Sequence, residues 1–532
     1  MSELYDRIAG LFALCGVGAP VGEIEPVSGG LMHKMYKVRT SSGTYAVKCL
    51  NPGIMKRPGV LENYARAEEL EGLLEEYGVP IVPALRFGTG KMVQTEGYCY
   101  YIFPWQEGSI TDPDNITERQ CFQAGEILGQ MHRIDPRNVE PEEPELSAID
   151  FRAYAQKAEA KNSGIASLLR DSLDLLEEAQ EKLNVDRSSL PPMQAVDDPD
   201  MDPKNNMWHE GKAYVIDLEC LGWGNPIATC LDLALQWAGT VNGKYDRANL
   251  KAFFDGYLGA YDNGFRSYDE LFGIAYTWVE WLEYNIRRAL GMETADAQEQ
   301  RLGEAEVKNT IERIRYLNSI EGDVREVLNS LPRLNPENYQ THDDRLCYID
   351  LVFEGKLTDQ PVVALPVGYS LVTYEPGDRD AWIDIEYSAA EVLSREHGET
   401  CWERYYGSRE QELPGRMWFV ENATGEKVAT ATALYDIHGA AGPGEGQLHW
   451  VAVKKEYQGR GLSKPLITYV LQVMKRLGYD RVKIHTQTNT WLACRIYYDL
   501  GFRPSPDSRV HNRFGWKMAE QLTGRKMTEE DR

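Results

Sequence analysis

Cysteine is scarce in this sequence and never paired. Nine occur in 532 residues, scattered from Cys15 to Cys494. With no C-x-x-C pair among them, a disulfide framework and the common zinc and dithiol motifs are excluded, and thiols packed as small hydrophobes in a reducing cytoplasm are expected. Basic charge is equally short. The chain has 57 Lys and Arg against 82 Asp and Glu, a net charge of −25. It therefore repels a phosphate backbone and lacks the basic stripe that nucleic-acid binding requires. Long apolar runs are missing too. No stretch approaches the roughly 18 uninterrupted apolar residues of a membrane span. The first apolar run, 9–20, follows Glu3 and Asp6 and is broken by Gly16 and Gly18, so it does not read as a secretory signal. The expectation is a cytoplasmic protein without nucleic-acid or membrane partners.

What remains is an ordinary globular composition, 42% hydrophobic and 10% aromatic, on a chain too long for one hydrophobic core. Val307, Ile311, Ile314, Leu317 and Ile320 recur at helical spacing, and the pattern stops at Pro332. The stretch 332–345, rich in Asn, Asp and Pro, reads as a linker. Strand-like segments resume beyond it. The expected division is a domain over 1–331, a linker over 332–345, a second domain over 346–520 and a polar tail over 521–532.

In the second domain the run 448–453, L-H-W-V-A-V, has strand character. Gln458-Gly459-Arg460-Gly461-Leu462-Ser463 follows, and then Leu466, Ile467, Val470, Leu471 and Met474 on one helix face. A strand, glycine turn and helix in that order leave backbone N–H groups unpaired at the helix start, where a pyrophosphate can be held. A second strand, 481–485, leads through Thr486-Gln487-Thr488 to a helix carrying Ala493, Ile496 and Tyr497, and on to Leu500-Gly501-Phe502.

Together with Gly368-Tyr369-Ser370, a helix start at 382–386 and a sheet around 428–434, these residues resemble the GNAT N-acetyltransferase family over about 365–504. The resemblance implies a central mixed sheet flanked by helices and acetyl-CoA as co-substrate. The amides of Gln458, Gly459, Arg460, Gly461, Leu462 and Ser463 would grip the pyrophosphate. The strand backbone at Val451 and Val453 would orient the thioester, and Tyr497 would protonate the departing thiolate. An amine attacking a thioester needs a polarised carbonyl and a proton donor for sulfur, and neither requires a metal. Ser463 stands where the family has Gly or Ala, and its hydroxyl is compatible with a helix cap. The base stays open between Glu386, which also reads as an exposed helix carboxylate, and His449, which also reads as a satisfied strand histidine.

The first domain opens with Ser28-Gly29-Gly30-Leu31-Met32 between strand-like segments, and Tyr45-Ala46-Val47-Lys48 follows as a strand ending in lysine. A lysine so placed can hold nucleotide phosphates once a helix carboxylate pins it. Glu68 is the expected partner, with Glu69 in reserve. The run 100–105 reads as a buried strand entering a hinge. Asp200-Met201-Asp202-Pro203-Lys204-Asn205, a hairpin over 207–217 and Val215-Ile216-Asp217-Leu218-Glu219 come later. D-x-x-x-x-N followed by a strand-ending aspartate supplies a carboxylate for an acceptor hydroxyl and oxygen ligands for magnesium.

With Gly222, Asn225, Pro226 and Asp232, this set resembles the aminoglycoside phosphotransferase and choline kinase family over about 21–317. The resemblance implies a bilobal protein-kinase-like fold, with an N-lobe over 1–103 and a C-lobe over 104–331, so the fold class of the whole chain is α/β and α+β in two domains. It also implies ATP with Mg2+, Asp200 taking the hydroxyl proton, and Asn205 and Asp217 as metal ligands. One departure stands out. The family has histidine two residues before the catalytic aspartate, and this chain has Asp198, beside Asp197, Asp200, Asp202 and Asp217, where crowded carboxylates raise one another's pKa. The combined expectation is an acetyltransferase acting on a small-molecule amine or amino alcohol, fused to a small-molecule hydroxyl kinase. A bifunctional aminoglycoside-type enzyme and an inactive kinase-like binding module are both compatible with it.

Overall fold

The computed structural model describes residues 3–27, 33–134, 143–359, 361–435 and 444–528. The glycine turn Ser28–Met32 lies outside them. The chain forms two compact units, Met1–Arg333 and Leu334–Arg532.

The first unit begins with helix α1 (Glu3–Cys15), whose Ile8, Leu11 and Phe12 are buried against a sheet. The strands of that sheet are β1 (Glu25–Val27), β2 (Lys34–Arg39), β3 (Thr44–Cys49), β4 (Val93–Thr95) and β5 (Tyr98–Pro104), in the antiparallel order β1-β2-β3-β5-β4. Helix α2 (Val60–Glu76) buries Tyr64, Ala67, Leu70 and Leu74. Beyond β6 (Ser109–Ile110), the helical lobe is built from α3 (Glu118–His132), α4 (Phe151–Ala160), α5 (Ala166–Asp171), α6 (Leu173–Ser189), α7 (Pro226–Trp237), α8 (Arg247–Ala260), α9 (Trp278–Ala289) and α10 (Ala297–Asn329). Set among them are β7 (Ala195–Asp197), the hairpin β8 (Asn206–His209) and β9 (Lys212–Val215), and β10 (Gly222–Gly224), which pairs with β7. Glycines permit the close crossing of α3 and α8: a Cβ on Gly125 would lie 2.0 Å from the Phe253 carbonyl, and one on Gly256 would lie 2.0 Å from that of Phe122.

The second unit is a mixed sheet in the order β12-β13-β14-β15-β16-β11-β17. Its strands are β11 (Asp350–Lys356), β12 (Tyr369–Thr373), β13 (Met417–Asn422), β14 (Lys427–Tyr435), β15 (Glu445–Val453), β16 (Arg481–Gln487) and β17 (Arg503–Pro504). The helices are α11 (Arg379–Ser388), α12 (Arg395–Tyr405), α13 (Ser463–Arg476), α14 (Trp491–Asp499), α15 (Pro506–His511) and α16 (Arg513–Thr523). Because the inner strands alternate in direction of burial, two cores form. Leu466, Val470 and Met474 of α13 pack with Val453, Ile484 and Tyr497, whereas Trp382 and Ile383 of α11 pack with Trp402, Phe419 and Ala452.

Two stretches depart from their expected roles. Residues 334–345 are not a loose linker but pack on the second unit: Leu334 is buried with Leu346, Met518 and Leu522. Thr341 Oγ1 donates to Gln458 Oε1 at 2.8 Å. The expected tail from 521 likewise continues α16 to Thr523 and returns to bury Met527 in the core. In both, a few apolar residues in a polar stretch are enough to dock it. No helix among the described residues is long and apolar enough to cross a membrane.

Candidate functional site

In the first unit Lys48 lies on β3 between β2 and β5, which places a 5%-exposed ammonium under the sheet. Its Nζ is 2.5 Å from Asp217 Oδ1 and 2.8 Å from Glu219 Oε1. Burial works against the Lys48 charge, but Asp217 and Glu219 outweigh it and hold its pKa above the ordinary value. The Glu219 carboxyl also meets His33 Nε2 at 3.2 Å. Since His33 Nδ1 accepts from the Asn51 amide at 3.0 Å, its Nε2 carries the proton. Burial penalises the Glu219 charge, yet His33 and Lys48 together pull its pKa below the usual range.

Glu68 does not reach Lys48. Its carboxylate accepts from the amides of Lys91 and Met92 and from the Tyr101 hydroxyl, at 2.8, 2.9 and 2.9 Å, so its acceptor sites are spent on the stretch before β4 and on β5. Glu69 is exposed. The residue of α2 turned to this site is Tyr64, whose hydroxyl is 3.3 Å from His33 Nε2. Glu219 has no role in the sequence pattern, and its place two residues after Asp217 is the signal for it.

Asp200 and Asn205 are brought together. Asn205 Nδ2 donates to the Asp200 carbonyl at 2.8 Å and to Oδ2 at 3.0 Å, while Lys204 Nζ meets Asp200 Oδ1 at 3.1 Å and Asp202 Oδ2 at 2.8 Å. Burial raises the Asp200 pKa against the pull of Lys204. Asp217 begins a short turn with φ 64°, a left-handed conformation that is uncommon for a non-glycine residue.

Asp198, in the position of the expected histidine, is 1% exposed. Its Oδ1 accepts from the Asp200 amide at 3.1 Å, and its Oδ2 has no hydrogen-bond partner among the described residues. Burial, followed by the charge of Asp200, lifts its pKa well above the ordinary value. A carboxyl whose pKa is raised in this way brings less negative charge into the loop than the sequence implied.

In the second unit β15 and β16 pair in parallel only from Glu445–Gln447 to Arg481–Lys483, although β15 runs on to Val453 and β16 to Gln487. The two strands therefore splay. One extra residue on β15 opposite Thr430 and Thr432 makes a bulge, with Trp450 at φ 45°. Val451 and Val453 lie on the splayed part, the first within that bend and the second beyond it.

Directly after it, Gly459 and Gly461 both take φ 75°. The backbone N–H groups of Gly459, Arg460, Gly461, Leu462, Ser463 and Lys464 have no hydrogen-bond acceptor among the described residues. Gln458 differs: its amide donates to the Lys455 carbonyl at 3.3 Å and its side chain to the Val453 carbonyl at 3.1 Å, so it braces the turn rather than joining the open amides. Ser463 is the first residue of α13 and does not cap it. The helix thus begins with unpaired amides at its positive dipole end, which suits an anion.

Tyr497, on α14, is 4% exposed and packs edge-on to Phe353 at 5.9 Å. Burial, with Cys494 and Glu391 adding to it, lifts the phenol pKa well above its ordinary value. Glu386 is no exposed helix carboxylate: it is fully buried, and both oxygens lack a hydrogen-bond partner among the described residues. Burial, and then Glu391, push its pKa well above the usual range. Glu391, a residue with no motif to mark it, interacts electrostatically with both Glu386 and Tyr497. It accepts from Gln487 Nε2 at 3.4 Å and lies 3.7 Å from His342 Nδ1. His449 is held elsewhere on β15, its Nδ1 2.9 Å from the Tyr406 hydroxyl and its ring against Tyr405.

Comparison with known proteins finds two separate matching stretches. Residues 23–271 match the phosphotransferase enzyme family, and residues 380–502 match the acetyltransferase (GNAT) family. Mycothiol acetyltransferase of Pseudarthrobacter chlorophenolicus is 31% identical over 148 residues, 27% of this chain and 45% of that protein. N-acetyltransferase 8 of Rattus norvegicus is 30% identical over 94 residues, 18% of this chain and 42% of that protein. The chain thus spans less than half the length of these curated relatives. A spectinomycin phosphotransferase crystallised with ADP and spectinomycin superposes with a TM-score of 0.45 at 14% identity, covering 59% of this chain and 98% of that one. The chain carries a domain of the phosphotransferase enzyme family in its N-terminal unit and a GNAT-family acetyltransferase domain in its C-terminal unit.

Proposed function

We propose that the C-terminal unit transfers acetyl from acetyl-CoA to a small-molecule amine, and that the N-terminal unit transfers phosphoryl from ATP to a small-molecule hydroxyl. The observation that carries the first reading is the row of unpaired amides from Gly459 to Lys464 beside splayed strands. A diphosphate satisfies those amides, and the gap between β15 and β16 admits the arm that carries the thioester. Similarity to mycothiol acetyltransferase and N-acetyltransferase 8 supports the same chemistry.

The amine nitrogen attacks the thioester carbonyl, the carbon–sulfur bond breaks, and one proton must leave the nitrogen while another reaches sulfur. Tyr497 supplies the second, because its raised pKa keeps the phenol protonated at neutral pH. Glu386 takes the first, with Glu391 beside it. Burial raises both carboxyls above the ordinary glutamate value, and the charge of Glu391 adds to the rise at Glu386. Tyr497→Phe is expected to lower acetyl transfer by about 10²-fold while leaving coenzyme affinity within about twofold, since the hydroxyl acts on sulfur and the amides do the holding. Free CoA release and calorimetry would read the two quantities. Equal losses in both would remove the role of Tyr497.

For the N-terminal unit, Lys48 is the phosphate-binding lysine and Asp200 takes the hydroxyl proton. Asn205 and Asp217 fit Mg2+, which is bound by one or two protein oxygens and otherwise by nucleotide phosphates and water. The metal would neutralise the phosphate oxygens as charge builds on them. Glu219, rather than Glu68, pins Lys48. Accordingly Glu219→Gln is expected to raise KM for ATP about tenfold or more, on the scale of one charge-assisted contact, whereas Glu68→Gln acts through stability alone. The reverse pattern would restore Glu68 to the site. A second reading, a nucleotide-free binding module, is favoured by Asp198 in place of the histidine. Calorimetry of the full chain with ADP and Mg2+ separates the two readings, and absence of binding removes the kinase.

A further inference from the structure

The stretch that precedes β11 is tied to the second unit on both sides of His342. Thr341 Oγ1 donates to Gln458 Oε1 at 2.8 Å, and Gln458 braces the turn of open amides. The Asp343 amide donates to the Asn489 carbonyl at 3.1 Å, just before α14 and Tyr497. Trp491, the first residue of α14, returns a bond from Nε1 to the Gln340 carbonyl at 3.0 Å. His342 stands between these anchors in the chain and is partly buried.

Its ring meets the end of α11. Nδ1 lies 3.2 Å from the Ala389 carbonyl, which can only accept, so Nδ1 carries a proton. Nε2 lies 3.2 Å from Asp344 Oδ1 and 3.4 Å from the Asn489 side-chain amide. Each ring nitrogen therefore has an acceptor beside it, which suits imidazolium. Burial opposes that charge, but Asp344 and Glu391 outweigh it and hold the His342 pKa above its ordinary value.

Ala389 ends α11 and Ala390 follows at φ 64°, so the Glu391 amide returns to the Glu386 carbonyl at 2.9 Å and closes the helix. Glu391 Oε1 then stands 3.7 Å from His342 Nδ1, and Oε2 accepts from Nε2 of Gln487, the last residue of the splayed strand β16, at 3.4 Å. One imidazole thus meets both the carbonyl that ends the helix bearing Glu386 and the carboxylate that follows it.

We propose that His342 is a positioning residue of the acetyltransferase site: it fixes the end of α11 through the Ala389 carbonyl and, as imidazolium, is the counter-ion of Glu391. The inference rests on the acetyltransferase reading above and extends its site to a residue outside the family-matched stretch 380–502. The titratable groups that act on His342 and Glu391 are Asp344, Glu386 on α11 and Tyr497 on α14, while Asp343 is bound by Arg345 at 2.7 Å. His342 is the cation among them, so removing its charge makes a proton on Glu391 more favourable and moves its ionisation to higher pH.

The test compares the full chain with His342→Asn, whose amide replaces the Nδ1 donor without charge, and with His342→Ala, which lacks both. Infrared titration follows the protonated-carboxyl band of Glu391, identified by its loss in Glu391→Gln. In His342→Asn that band should persist to a pH about one unit or more higher, the scale of one opposite charge at this distance. CoA release from acetyl-CoA, with ethanolamine or water as acceptor, should fall about tenfold in kcat for His342→Asn and further for His342→Ala, with KM for acetyl-CoA within about twofold. A band that titrates alike in the parent and His342→Asn overturns the proposal, and so does an unchanged kcat in His342→Ala or a rise in KM that matches the fall in kcat. If the parent turns over neither acceptor, the infrared titration alone decides. Absence of acetyl-CoA binding to the parent, read by calorimetry, removes the acetyltransferase reading itself, whereas the pairing of His342 with Glu391 still shows in the titration.

Discussion

Replacing Glu386 with glutamine is expected to cut acetyl transfer by about 10²- to 10⁴-fold, the usual worth of a positioned general base, while making the protein more stable above neutral pH. The two effects come from one cause. Burial lifts the Glu386 pKa well above the value it has in an unfolded chain. Between those two values the folded protein holds a proton that the unfolded chain has released, so stability falls as pH rises through the window. Glutamine cannot ionise and escapes that fall. Its amide enters a site where the carboxyl already lacks partners, so the exchange adds one unmet N–H and no charge.

Activity runs the opposite way with pH in the parent. The base works only when ionised, so the acid limb of the kcat/KM profile should lie well above the ordinary carboxylate range and vanish in the variant. Thermal unfolding from about pH 5 to 9, beside CoA release over the same range, checks both. A Glu386→Gln enzyme with full activity would assign the base to Glu391, and Glu391→Gln would then show the loss. If both variants remained active, the carboxyl pair would have no part in the proton transfer.

Asp200→Asn is expected to lower phosphoryl transfer by about 10²- to 10⁴-fold and leave acetyl transfer unchanged. Asparagine keeps the shape and one acceptor oxygen, so the hydrogen bond from Asn205 survives, but it cannot take a proton. It also frees Lys204 to Asp202 alone. Nucleotide binding should persist, because Lys48, Asp217 and Glu219 are untouched. ADP release, ADP calorimetry and CoA release on one preparation give the three readings. Loss of nucleotide affinity in step with turnover would mean that Asp200 organises the nucleotide site rather than the acceptor hydroxyl.

The neighbouring Asp198 illustrates how far local sequence carries. A carboxylate in place of histidine reads as added charge in a crowded loop, and that reading assumes an ionised group. Burial decides otherwise, since a charge with no counter-ion at 1% exposure is costlier than a bound proton. Glu386 misleads in the same manner. Its position on an amphipathic helix does not tell which way the carboxyl turns, and the packing of α11 on the sheet turns it inward.

What the sequence determined is whatever depends on short spacing. The strand, glycine turn and helix from Glu445 to Arg476 and the D-x-x-x-x-N loop are set by alternation, helical period and the backbone freedom of glycine, all acting within a few residues. Tertiary structure alone decided which distant groups meet. Lys48 found Asp217 across a separation of 169 residues, and Glu68 turned to a loop 23 residues away. The strand splay and the docking of 334–345 likewise follow from whole cores packing together. Burial and partnership, which fix charge and pKa, are properties of that packing, and no short window of residues contains them.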